Sequence, residues 1–127
     1  VKCPEITENL RSEKGNEKSI LSVTNESPIL IKLAWVNFEG ENSKDWTPAA
    51  IKPGATESYH TTIGHYFRVY GYLPTSRLVL LKEYAIHTKQ DSFSISGDCD
   101  DIGNTLQLEA QQRDNEMNQL VHDQQAP

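Results

Sequence analysis

A series of seven short apolar segments, each bounded by turn residues, constrains this 127-residue chain more than any other feature. The segments are Ile20–Val23, Ile29–Phe38, Trp46–Ile51, Glu57–Thr62, His65–Tyr72, Leu78–Thr88 (one long strand or two) and Phe93–Ile95. They recur roughly every 8–12 residues without a helical pattern between them, a spacing typical of antiparallel sandwiches and barrels. The sequence therefore predicts an all-β fold, a seven-stranded antiparallel β-sandwich.

The flanking regions differ in character from this central block. Residues 1–18 are polar and charged, and they predict an extended arm whose only evident anchor is Cys3. Residues 19–99 form the predicted sandwich domain, and residues 100–127 predict one polar, amphipathic C-terminal α-helix or tail. Asn104 with Gln107 resembles a capping box and indicates where that helix begins. Its narrow apolar stripe predicts docking on its own domain, with a homodimer through the helix as the alternative.

Composition and charge exclude several functional classes. The net charge of −6 and the lack of a basic stripe disfavour nucleic-acid binding, which depends on phosphate contacts. No apolar run approaches the roughly 20 residues of a membrane span, so no membrane insertion is predicted. No nucleophile, phosphate-loop or metal-ligand spacing occurs, and a metal site from His60 and His65 would lack further ligands. We therefore predict a protein that is not an enzyme and that needs no cofactor.

The two cysteines, Cys3 and Cys99, lie near the two ends of the predicted core. A disulfide between them would close a loop of about 97 residues, which the chain-entropy model credits with roughly 4.7 kcal/mol. Such a bond would suit a small domain in an oxidising compartment. The alternative is a pair of unrelated reduced thiols.

Four motifs in one order resemble the β-domain family of the von Hippel–Lindau tumour suppressor. They read Val-Thr-Asn-Glu-Ser-Pro at 23–28, Trp-Val-Asn-Phe-Glu-Gly-Glu at 35–41, Ile-Lys-Pro-Gly at 51–54 and Thr-Thr-Ile-Gly-His-Tyr-Phe at 61–67. With a weaker continuation through residues 78–95, the resemblance covers about 75 residues, with a short insertion around residues 42–45. It implies a seven-stranded sandwich that reads trans-4-hydroxyproline in an extended peptide.

The resemblance also implies which residues form the pocket. The aromatic wall falls on Trp35 and Phe67, the latter where the family has tryptophan. Thr61 stands where the family has a serine hydroxyl, and His65 is the histidine whose ring nitrogen bonds the ligand hydroxyl. The family's loop tyrosine falls near Trp46, across the insertion. The implied partner is a hydroxyproline-bearing protein or peptide, and collagen-like chains are candidates.

The C-terminal region departs from the family. The family's adaptor-binding helix carries a cysteine where this chain has Ala110, and an apolar residue where it has Asp114. An intracellular ubiquitin-ligase substrate receptor is therefore disfavoured. A stand-alone, secreted or extracellular binding domain is the prediction, with a cytoplasmic location as the alternative. A second alternative is a structural or oligomerisation protein that keeps the fold without binding hydroxyproline.

Overall fold

The structure, a computed structural model, describes residues 1–44 and 48–125, the last six of them by their backbone alone. The elements are β1 (Lys18–Asn25), β2 (Ile31–Val36), β3 (Thr56–Thr62), β4 (Tyr66–Tyr72), β5 (Leu78–Ala85), β6 (Gln90–Ile95) and α1 (Asp100–Gln125). The predicted β-rich architecture with one C-terminal helix is confirmed. The candidate site residue Trp46 lies outside the described residues.

The six strands form two three-stranded sheets, in the orders β3-β1-β6 and β2-β4-β5. In β1, exposed and buried residues alternate because successive side chains point to opposite faces of a sheet. The inward side chains of both sheets meet in one apolar core of nine buried residues: Leu21, Val23, Ile31, Leu33, Ile51, Phe67, Val69, Ile86 and Ile95. The molecule is therefore a small sandwich.

The expected number of strands was wrong, since the described residues form six rather than seven. The predicted strand at 46–51 is reduced, within its described part, to one bridge between Ile51 and Ile31. Pro48 and Pro53 lack the amide hydrogen that a continuing strand would donate. The Ile51 carbonyl accepts the Ile31 amide at 3.1 Å and also the side-chain amide of Asn25 at 2.9 Å.

The expectation of a purely antiparallel sandwich was also wrong, because β1 and β6 pair in parallel. The chain leaves β5 through Ile86, whose amide donates to the His65 carbonyl at 2.9 Å. It then enters the other sheet beside Ile20, near the start of β1, where the Ile20 amide donates to the Lys89 carbonyl. Entering at that end, β6 must run in the same direction as β1. The segment at 78–88 contains one strand, β5, rather than two.

The helix begins four residues before the predicted cap at Asn104, so that prediction was wrong. The Cys99 carbonyl accepts the first bonds of the helix, from the amides of Ile102 and Gly103. Ile102 is buried in a second core cluster with Ile29, Leu73, Val79 and Cys99, which fixes the start of the helix by tertiary packing. Docking on the domain involves only the first two turns, and residues 110–119 are exposed. No described helix has the apolar length that crossing a membrane requires.

The N-terminal arm is fixed to the sandwich at more points than Cys3. Cys3 and Cys99 form the predicted disulfide. Thr7 bonds the Glu83 carboxylate through its amide and its hydroxyl, at 3.0 and 2.6 Å. Ser12 is 2% exposed, and its hydroxyl donates to the Val36 carbonyl while accepting from the Tyr66 amide. The arm thus joins the ends of β2 and β4.

Candidate binding site

An open cleft of about 490 Å³ lies at one end of the sandwich. Among the described residues, its lining comprises eight from strands β1 to β4 and the adjoining turn: Lys18, Ser19, Trp35, His60, Thr61, Thr62, His65 and Phe67. Four of the five ligand residues predicted from the sequence, Trp35, Thr61, His65 and Phe67, are therefore brought together. Their role in binding stays a prediction.

Strand register explains why these side chains converge. Trp35 on β2 lies directly opposite Phe67 on β4, so the two rings share the inner face of their sheet. In the other sheet, Thr61 on β3 lies opposite Ser19 on β1. Phe67 is only 2% exposed and belongs to the core, whereas Trp35 is half-buried against it. The cleft thus has an apolar floor from one sheet and a hydroxyl-bearing wall from the other.

His65 reaches the cleft from a tight turn between β3 and β4. Gly64 has a φ of +97°, a left-handed conformation that glycine adopts without strain. The His65 amide donates to the Thr62 carbonyl at 3.1 Å and closes the turn. Burial lowers the pKa of the His65 imidazole below its ordinary 6.5. The ring is therefore mostly neutral at pH 7, and a neutral imidazole offers one donor and one acceptor nitrogen.

Three aromatic rings contact one another at the site. The centroids of Trp35 and His65 are 5.3 Å apart, and Phe38 lies 5.5 Å from Trp35 and 6.0 Å from His65. Such distances suit tilted and edge-to-face packing. Phe38 was part of the recognised Trp-x-Asn-Phe motif but was not predicted as a site residue. Its contact with His65 depends on the β3–β4 turn, which sequence spacing does not reveal.

Two polar atoms of the cleft residues are buried without a hydrogen-bond partner among residues 1–44 and 48–125. They are the indole Nε1 of Trp35 and the hydroxyl Oγ1 of Thr61. Leaving a buried polar group unpaired costs about 1–3 kcal/mol, so such groups are rare in native structures. Both atoms belong to residues singled out from the sequence. The site therefore carries unused hydrogen-bonding capacity.

The N-terminal arm supports the turn that presents His65. The Glu13 amide donates to the Gly64 carbonyl, and the Ile63 amide donates to the Glu17 carbonyl, each at 2.9 Å. A side chain at Gly15 would lie 2.5 Å from the Ile63 carbonyl oxygen, so the close approach of arm and turn requires glycine. The arm lies beside the cleft and contributes only its junction with β1, at Lys18, to the lining.

Metal-binding geometry is absent from the described part of the chain. His60 and His65 both line the cleft, but no group of three or more His, Cys, Asp or Glu side chains is placed to hold an ion there or elsewhere among the described residues. The arrangement instead offers aromatic surface, the Thr61 hydroxyl and the neutral His65 imidazole, which suit a small ring with a polar substituent.

No family model matches the chain, and no curated protein matches it.

Proposed function

We propose that this protein is a non-catalytic binding domain whose cleft recognises trans-4-hydroxyproline in an extended peptide. The observation that supports the proposal is the convergence of Trp35, Thr61, His65 and Phe67 on one cleft. These residues are well separated in sequence and were selected by their resemblance to a hydroxyproline-reading family. The cleft volume of about 490 Å³ lies within the usual range for small-molecule sites.

The chemistry of the cleft suits this ligand. A pyrrolidine ring is apolar and conformationally restricted, so aromatic surfaces bind it with little loss of entropy. The 4-hydroxyl needs one donor and one acceptor. The Thr61 hydroxyl has no partner among the described residues, and the His65 imidazole is neutral, so together they complement that group. Plain proline would leave both side chains unpaired, and this is the basis of discrimination.

The proposed location is extracellular, with collagen-like chains as candidate partners. The Cys3–Cys99 disulfide is compatible with an oxidising compartment. Counting free thiols in protein taken from its native source tests the location, since reduced Cys3 and Cys99 would favour the cytoplasmic alternative.

Calorimetric titration with two matched peptides tests the proposed function. One peptide carries trans-4-hydroxyproline and the other carries proline at the same position. We expect the hydroxylated peptide to bind at least about 100-fold more tightly than its proline counterpart. His65→Ala should abolish this preference, whereas the matched control His87→Ala, outside the cleft lining, should retain it. Equal affinity for both peptides, or no binding of either, would overturn the proposal.

An interaction role for the C-terminal helix is a second candidate function. Leu108 is 66% exposed and Met117 is 64% exposed, both beyond the docked turns of α1. Met117 continues the helical stripe of Leu106 and Ala110 past the docked turns, and this exposed stripe suits a homodimer or another protein partner. Truncation after Leu106 keeps the docked turns and tests this role. We expect light scattering to give a dimer mass for the full chain and a monomer mass for the truncated chain, and a monomeric full chain would exclude a homodimer through the helix.

A further inference from the structure

The rim of the cleft carries side chains that the proposed contacts with hydroxyproline do not use. Lys18 on β1 is paired with Thr62 on β3, and Ile20 is paired with His60. Lys18 and His60 therefore lie on the same, outer face of this two-stranded edge, as diagonal neighbours. Thr61 lies between His60 and Thr62 in the chain and points to the inner face. The cleft thus has the Thr61 hydroxyl inside and the Lys18 ammonium at its outer rim.

The local charge at this rim differs from that of the whole chain. The chain has a net charge of −6, yet no carboxylate lines the cleft in the described part of the molecule. The salt bridges among the described residues join Val1 to Asp100, Arg68 to Glu83 and Arg77 to Asp101, and so leave the Lys18 ammonium out. Residues 100–127, which hold six carboxylates and one arginine, lie in the C-terminal helix and tail.

The alternation of an extended chain connects this rim to the ring subsite. β3 pairs with β1 on one side and lies at the edge of its sheet, so its other side can face a ligand. In an extended peptide, successive side chains point to opposite faces. When a hydroxyproline points inward toward Thr61, the residues immediately before and after it point outward, toward the face that carries Lys18 and His60.

We propose that the cleft selects peptides in which an aspartate or glutamate is the immediate neighbour of the hydroxyproline. The acidic side chain lies against Lys18 and His60 while the ring occupies the inner cleft. This inference rests on the proposed function and adds a second determinant of the ligand. In this proposal, Lys18 and His60 at the rim select the charge of the neighbouring residue, whereas the inner cleft residues select the hydroxylated ring.

Four matched peptides test the inference by calorimetry at low and high salt. They combine aspartate or asparagine with hydroxyproline or proline at adjacent positions. Aspartate should strengthen binding of the hydroxyproline peptide about two- to fivefold at low salt, the range of an exposed ion pair. The preference should shrink at high salt because ions screen exposed charges. Lys18→Gln should remove it without changing the ratio of hydroxyproline to proline affinity.

Lys52→Gln serves as the matched control, since Lys52 is exposed and lies outside the cleft lining. It removes the same charge and should keep the preference for aspartate. Equal binding of the aspartate and asparagine peptides, with hydroxyproline still preferred over proline, would overturn this inference and leave the proposed function intact. An aspartate preference without a hydroxyproline preference would support charge selection by Lys18 and His60 but overturn the proposed function. Binding of none of the four peptides would overturn both.

Discussion

Thr61 has a hydroxyl that the fold buries without a partner in its described residues, so its roles in stability and in binding should separate. We expect Thr61→Val to leave the free energy of unfolding unchanged or to raise it by up to about 1 kcal/mol, because an unpaired polar group is removed at nearly constant shape. The same change should weaken hydroxyproline binding about tenfold or more. Denaturant unfolding and calorimetry measure the two effects. Thr61→Ser, which keeps the hydroxyl, is the control, and a clear loss of stability in Thr61→Val would contradict the prediction.

The protonation of His65 should make hydroxyproline binding depend on pH. Burial lowers the pKa of this imidazole in the folded protein below 6.5, so protonation favours the unfolded chain. Stability is therefore complete above pH 6.5 and declines as the pH falls from there through the folded pKa. Affinity should follow the same direction, because a protonated ring cannot accept a hydrogen bond. We expect constant affinity from pH 8 to 7 and a steady loss at acidic pH, measured by titration. Affinity that rises on acidification would contradict this role for His65.

At the residue scale, the inner site could be predicted from the sequence and its rim could not. Trp35, Thr61, His65 and Phe67 belong to motifs whose order carries the resemblance. Lys18 carries no motif, and its place at the mouth depends on pairing with Thr62, 44 positions away in the chain. Pairing register is a tertiary property, because any one-residue slip exchanges the two faces of a strand.

Asn25 shows the same limit of a local pattern. The triplet Asn25-Glu26-Ser27 reads as a glycosylation sequon. In the fold, Asn25 is fully buried, and its amide donates to the Ile29 and Ile51 carbonyls at 2.8 and 2.9 Å. The side chain is thus a structural link between the end of β1 and the neighbouring segments, and it is inaccessible to modification in the folded protein.

At the scale of the elements, the attachment of the N-terminal arm to the sandwich is predicted to depend on Ser12. Its buried hydroxyl bonds both the Val36 carbonyl and the Tyr66 amide. Ser12→Ala leaves the amide without this acceptor and should lower the free energy of unfolding by about 1–3 kcal/mol, measured by denaturant unfolding. Ser96→Ala, a change of the same kind at an exposed position outside the strands, is the matched control. Equal losses of stability in Ser12→Ala and Ser96→Ala would contradict the assignment.

We expect the start of the helix to contribute to the free energy of unfolding and the exposed remainder to contribute little. Ile102 is 1% exposed in the second core cluster, whereas Met117 is 64% exposed. Ile102→Ala should cost about 2–5 kcal/mol of unfolding free energy, and Met117→Ala should change it by less than about 0.5 kcal/mol. Thermal unfolding of the two variants measures the difference. A large loss in Met117→Ala would mean that the exposed turns are packed in solution.

At the element scale, local patterns located most strands but misjudged three features. The segment at 46–51 has strand-like residues, yet its described part forms one bridge, next to prolines that cannot donate to a ladder. Asn104 has the residue type of a cap, but burial of Ile102 and the Cys99 carbonyl start the helix earlier. The third feature is the parallel pairing of β6 with β1. In the second and third features, a contact distant in sequence overrode a local preference.

For the molecule as a whole, the disulfide is predicted to support stability more than binding. Cys3 and Cys99 are 96 positions apart, so their bond greatly restricts the unfolded chain. A Cys3→Ser/Cys99→Ser double variant should lose about 2–5 kcal/mol of unfolding free energy. Hydroxyproline binding at a temperature where the variant is folded should be unchanged, because Ser12 and Glu13 hold the arm beside the His65 turn. Unchanged stability, or binding that fails in the folded variant, would contradict this division.

Features that depend on near neighbours in the chain could be predicted from the amino-acid sequence. Alternating apolar residues and turn signals determine that the chain is strand-rich, and the amphipathic pattern after residue 100 determines the helix, because both depend on neighbours in the chain. Contacts between distant segments set the order of the strands, the parallel pair, the attachment of the arm, and the positions of Lys18 and His60 at the cleft. The physical reason is that partner choice and register depend on burial of the common core and on backbone bonds between segments far apart in sequence.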